Sequence, residues 1–276
     1  MIELLGINLP SNKRAVVKAF MDACQVDDRI LAAFLSGSYA RGSADRYSDL
    51  DLSVITTDES FSNFITQRNA FVKKLGPTVF IEDFDHPKSV FVIMADGTEV
   101  ELAFGSKSRL EHIHSGPYRA LVDKQNILAG AIFHDREPTL AEQTEKLRRS
   151  IYWFWHDVSH FINALSREQY WWAQGQLEVL RRCCINLAHL NHNFLGAFDW
   201  DDPYFKIENA LPVAQIEPLK ATFCALEKDE LLKAGLALIR FYKGLAVPLA
   251  QAHNIVYPEV LEREMVGRLE NLQRRP

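Results

Sequence analysis

Apolar residues recur at helical spacing over 11–25 (Val16, Val17, Phe20, Met21, Cys24), and a short apolar run over 31–35 stops at Ser36-Gly37-Ser38. Period two then takes over. Leu50, Leu52 and Val54 alternate with Asp49, Asp51 and Ser53, which predicts a strand with one apolar and one polar face. A helix is expected over about 60–75, ended by Gly76-Pro77. Val79-Phe80-Ile81 reads as a strand, and 90–94 with 98–104 as the arms of a hairpin turning on Asp96-Gly97, the dipeptide most specific for a tight turn. Two further short strands, near 110–114 and 131–134, would complete a mixed sheet.

After Pro138 the period becomes helical and stays so, predicting four helices over 140–166, 168–193, 212–226 and 228–253. The linker over 194–211 contains Gly196 and Pro203. A connection as short as Ser166-Arg167 makes neighbouring helices antiparallel, hence an up-down bundle. The expected fold class is therefore α+β: a mixed sheet with helices over 1–136, then an all-α domain over 137–276.

Composition agrees with two folded domains. The chain has 276 residues, 47% of them hydrophobic, enough for a core in each half at roughly 150 residues per domain. The net charge is -5, and the halves on either side of Arg136 carry 15 basic with 18 acidic and 16 basic with 18 acidic residues. Neither half is the basic footprint that an extended nucleic-acid surface needs. Four cysteines without CxxC spacing, no stretch near the roughly 18 apolar residues of a membrane span, and no signal-peptide core at the start suggest reduced thiols and a cytoplasmic protein.

The stretch 34–52 carries the chemistry: an apolar strand, a Gly-Ser turn at Gly37-Ser38, about ten residues, then Asp49-Leu50-Asp51-Leu52. Period two puts both carboxylates on one face. So close a pair repels unless a cation lies between, and hard oxygen ligands suit magnesium shared with phosphate oxygens. Gly37 would let the backbone approach a phosphate and Ser38 would donate to it, so the site should hold a nucleoside triphosphate. Arg41, just after the turn, could meet a triphosphate oxygen.

This pattern resembles the nucleotidyltransferase superfamily that includes DNA polymerase beta. The hairpin Asp96-Gly97-Thr98-Glu99-Val100 and the segment Arg109-Leu110-Glu111, with a helical half behind them, are similar to the antibiotic nucleotidyltransferases, among them lincosamide and streptomycin/spectinomycin adenylyltransferases. The resemblance implies two Mg2+ ions and ATP, with AMP passed to a hydroxyl of a small acceptor such as an aminoglycoside or lincosamide, and hence antibiotic resistance. It implies Asp49 and Asp51 as catalytic metal ligands and Glu111 as the general base. It also implies a helical half that binds the acceptor and closes over it. Acceptors that are proteins or RNA, as in toxin-antitoxin systems, and a catalytically silent nucleotide binder are the other readings. Glu99 and Glu101 share a strand face, and alternation alone does not choose between them; Glu101 is assigned as the third metal ligand. The linker, with Asp199, Asp201, Asp202 and Lys206, is similar to a streptomycin-family segment, which makes Lys206 a candidate phosphate contact. His112 with His114, and His156 with His160, have zinc-like spacing but lack a third ligand and read as structural. Four tryptophans, Trp153, Trp155, Trp171 and Trp172, are expected mainly in the bundle core.

Overall fold

The computed structural model describes residues 8–82, 88–133 and 137–273. The chain divides into two compact units, Met1–Arg136 and Glu137–Pro276.

In the first unit, α1 (Ser11–Val26) precedes β1 (Ile30–Leu35), the short α2 (Gly37–Arg41) and β2 (Leu50–Thr56). Then come α3 (Asp58–Thr66), α4 (Arg68–Val72), β3 (Thr78–Ile81), β4 (Ser89–Met94), β5 (Glu99–Ser106) and β6 (Arg119–Asp123). The six strands form one mixed sheet in the order β3-β4-β5-β2-β1-β6. Four of its pairings are antiparallel; β2 and β5, at its centre, run parallel with Asp51 opposite Glu101. Leu50, Leu52 and Val54 of β2 join Val100, Leu102 and Phe104 of β5 in a core that also takes Val17, Phe20 and Cys24 from α1. At the start of β2 and β5 the opposite face carries Asp51 and Glu101, which sets up the site, and further along it Ile55 packs with Ala32 and Phe34 of β1 in a second apolar cluster.

Three expectations for this unit need correction. The helix over 60–75 is broken at Gln67, because the Thr66 hydroxyl donates to the Asn63 carbonyl and Arg68 to that of Ile65, taking acceptors that a continuous helix would use. Residues 110–114 are no strand. A 3-10 turn spans Lys107–His112, started where Asp58 Oδ1 accepts the Ser108 amide (3.0 Å) and draws it off the sheet. Residues 131–133 are irregular, since the Tyr118 hydroxyl bonds the carbonyls of Leu128 (2.7 Å) and Ala131 (3.2 Å); His134 lies outside the described residues. The sixth strand is β6, from a segment of only five residues.

The second unit contains α5 (Leu140–Ser166), α6 (Tyr170–His192), α7 (Ile207–Ala210), α8 (Val213–Ile216), α9 (Lys228–Ala252) and α10 (Glu259–Gln273). Helix α5 opens on a capping box, Thr139 with Glu142. Its core is aromatic: Phe154 stacks on Tyr242 at 3.6 Å between centroids, Trp155 packs edge-on to both, and the Tyr242 hydroxyl donates to the Ile151 carbonyl (2.8 Å). The helix expected over 212–226 is only α8 followed by a 3-10 turn, Glu217–Thr222, because Pro218 lacks the amide that would continue it. Buried Arg181 ties that turn to α6 through the Thr222 hydroxyl (2.8 Å) and carbonyl (2.7 Å). Helix α10 is an element outside the four expected, although Leu261, Met265, Leu269 and Leu272 recur at helical spacing. Of the four tryptophans expected in the core, Trp155 is there, whereas Trp171 is 83% exposed, Trp153 about half exposed and Trp172 37% exposed. Among the described residues, no helix is long and apolar enough to cross a membrane.

Candidate active site

The site begins at the joint between β1 and β2. Ser36 N–H donates to the Asp51 carbonyl (2.9 Å), which holds the two strand ends together and fixes the turn that starts α2. At that turn Gly37 has φ +61°, a conformation that costs other residues energy. A Cβ there would lie 1.7 Å from Asp51 Oδ2, so the space that glycine leaves is taken by the aspartate carboxylate itself. The expected reason for Gly37, close approach of a phosphate, is therefore joined by a second one: any side chain at 37 displaces Asp51.

Asp51 and Glu101 are paired in register across the parallel strands, and Asp49 enters from the residue just before β2. One carboxylate oxygen from each of Asp49, Asp51 and Glu101 lies within 4.8 Å of the others. Asp49 and Asp51 are half-buried and Glu101 is the most exposed of the three. Desolvation, followed by the Asp49 charge, raises the proton affinity of Asp51, and Arg41 and His114 oppose it. Desolvation also comes first for Glu101, whose carboxyl is raised further by Asp49, Asp51 and Glu82. Arg41 and His114 are thus the basic side chains whose interaction with Asp51 favours its carboxylate form. Spacing presents His114 only as a zinc candidate; nothing in its distance from His112 along the chain reveals that the fold returns it toward Asp51.

The other candidates are not members of this carboxylate cluster. Glu99 is exposed at the start of β5, and Glu111 is exposed on the 3-10 turn. Ser38 Oγ is shielded from solvent and has no hydrogen-bond partner among the described residues, an unmet donor one residue from Gly37. Lys206 belongs to the second unit, where it precedes α7 in a left-handed conformation (φ 54°), with its Nζ 4.7 Å from the Phe205 ring centroid.

Three hard oxygen donors that repel one another, beside an unpartnered hydroxyl, suit a divalent cation such as Mg2+ and an oxyanion next to it. Carboxylates alone, without sulfur or imidazole in the cluster, do not suit a structural zinc ion.

A search of curated protein sequences finds no match. Similar solved structures include an aminoglycoside 6-adenyltransferase from Bacillus subtilis (15% identity, 97% of this chain and 100% of that one covered, TM-score 0.47). Another is a nucleotidyltransferase-like protein from Exiguobacterium sibiricum (15% identity, 85% of this chain and 76% of that one, TM-score 0.38). The profile of the streptomycin adenylyltransferase family matches residues 11–272, nearly the whole chain. With the Gly-Ser turn and the carboxylate cluster in place, the chain belongs to the streptomycin adenylyltransferase family and is a nucleotidyltransferase.

Proposed function

We propose that this enzyme transfers AMP from ATP to a hydroxyl of an aminoglycoside or a similar small antibiotic, with Mg2+ as its metal. The observation that carries the reading is the convergence of Asp49, Asp51 and Glu101 beside Gly37 and Ser38, in a chain of this family. Asp49, Asp51 and Glu101 would hold the ions, two in number, and bound Mg2+ supplies charge neutralisation at the triphosphate. Ser38 Oγ and Arg41 would bind triphosphate oxygens, and the backbone at Gly37 would stay close to them. Lys206 is carried as a further phosphate contact by family likeness alone, and acceptor recognition is assigned to the helical unit.

The acceptor oxygen bonds to the α-phosphorus as the bond to pyrophosphate breaks, and the hydroxyl proton passes to a carboxylate. Orientation of the reacting groups and fixed charge supply most of the rate. Family likeness assigns the proton to Glu111. A second candidate, Glu101, is supported by its place in the carboxylate cluster, of which Glu111 is not a member.

Pyrophosphate release from MgATP should be stimulated by one member of a panel of aminoglycosides and lincosamides. Stimulation by tRNA or protein substrates alone would overturn the small-molecule reading, and release with none of them would favour a silent nucleotide binder. For the base, whichever of Glu111→Gln and Glu101→Gln removes it should slow turnover by ~10²-fold or more. Loss of a base leaves the Mg2+ requirement unchanged, whereas loss of a ligand shifts it.

A further inference from the structure

Lys13 is out of place by every local preference. It is the third residue of α1, where the helix dipole disfavours a cation, and it is only 6% exposed. Burying an ammonium is costly unless its protons are taken up, and among the described residues Lys13 forms no ion pair. Its Nζ donates instead to two backbone carbonyls, those of Arg46 (3.3 Å) and Ser48, and lies 5.5 Å from the centre of the Tyr39 ring.

Those carbonyls belong to the loop that delivers Asp49. The Ser48 carbonyl is part of the peptide group that carries the Asp49 amide, so the ammonium holds the plane from which Asp49 departs. The rest of the loop is closed on itself. Asp45 Oδ1 accepts from Tyr47 N–H (2.8 Å) and from the Ser48 hydroxyl (3.1 Å), and Asp45 N–H donates to Ser48 Oγ (2.9 Å). Ser43 N–H ties the start of the loop to Ser38 in α2 (3.0 Å). Among the described residues, Lys13 alone reaches in from α1 to bond the loop's other end.

We propose that Lys13 is a positioning residue for Asp49: by gripping the Arg46 and Ser48 carbonyls it sets where the Asp49 carboxylate stands relative to Asp51 and Glu101. The inference rests on the reading of those carboxylates as a metal site. Magnesium-type ions demand close oxygen geometry, so a loop that drifts costs affinity even when the fold survives.

The probe is Mn2+, titrated into the full chain by water-proton relaxation, with thermal melting in parallel. Wild type should bind, and Asp49→Asn should bind at least 100-fold more weakly. Lys13→Met keeps the aliphatic stem and removes the donors; it should weaken Mn2+ by about tenfold. Val17→Ala, buried on the same helix, serves as the control: it should lower the melting temperature by a comparable amount and leave Mn2+ affinity at the wild-type value. If Lys13→Met does not fold, Lys13→Gln, whose amide retains a donor, carries the same comparison and should lose a severalfold share of the affinity. Wild-type affinity in the Lys13 variant, or an equal loss in Val17→Ala, overturns the positioning role while leaving the metal site standing. Absence of Mn2+ binding by wild type, or indifference to Asp49→Asn, instead overturns the metal reading and this inference with it.

Discussion

At Asp51 a carboxylate has been placed where it is least comfortable, partly desolvated, beside Asp49, and folded over a glycine. Asp51→Asn should therefore abolish nucleotidyl transfer and, without metal, raise the melting temperature at neutral pH, because repulsion with Asp49 and Glu101 is relieved. Asp51 and Glu101 hold a proton more tightly in the fold than in the unfolded chain, so they penalise the fold at neutral pH, and the penalty fades as pH falls through their raised values into the ordinary carboxylate range. The melting advantage of Asp51→Asn over wild type, followed from pH 7 down to about pH 4, should shrink steadily; an advantage that grows on acidification contradicts an origin in carboxylate repulsion and desolvation. Gly37→Ala acts on the same carboxylate from the other side. The added Cβ would overlap Asp51 Oδ2, so Mn2+ affinity should fall by at least tenfold, a loss of the size seen when the support of a ligand is removed.

Between the elements, the hairpin of β4 and β5 is the device that brings Glu101 to its place, and Gly97 at its tip has φ +81° with open space where a Cβ would go. Gly97→Ala should then cost only the backbone preference, about 1–2 kcal/mol in denaturant unfolding, and leave metal affinity untouched. This hairpin was readable because Asp96-Gly97 stands between an apolar run and the alternating arm that begins at Glu99, and so was β2, where alternation also places Asp49 and Asp51 on one face. What escaped was set by side-chain hydrogen bonds, some local and some between segments distant in sequence. Asp58 captures Ser108 and turns an expected strand into a 3-10 turn, Tyr118 collects the carbonyls of 128 and 131, and Thr66 with Arg68 breaks a helix whose apolar spacing gave no warning. The carboxylate cluster was half legible in the same sense. Asp49 and Asp51 follow from spacing, but the choice of Glu101 over Glu99 depends on the register of two strands that are distant in sequence. Periodicity places Lys13 three and four residues before Val16 and Val17, on the buried stripe of α1, but the carbonyls it bonds belong to a loop more than thirty residues away and could not be read from it.

For the molecule as a whole, each unit has its own apolar core: the aromatic stack around Phe154 and Tyr242 in one, the sheet and α1 in the other. Mg2+ added without nucleotide should accordingly increase hydrogen-exchange protection in β2, β5 and the loop over 42–49, and leave the centre of α5 unchanged. Protection gained throughout α5 as well would show that metal binding is felt by the whole chain. The parallel pairing of β2 with β5 carries a consequence in time. Its two strands are separated by the chain over 57–98, so Asp51 and Glu101 cannot meet until that long crossover has closed. Closure of this kind is slow beside the growth of helices from local contacts. During refolding from denaturant, the far-ultraviolet helical signal should consequently return before the capacity to capture Mn2+, and the newly made chain will be helical for a while before it is able to bind metal.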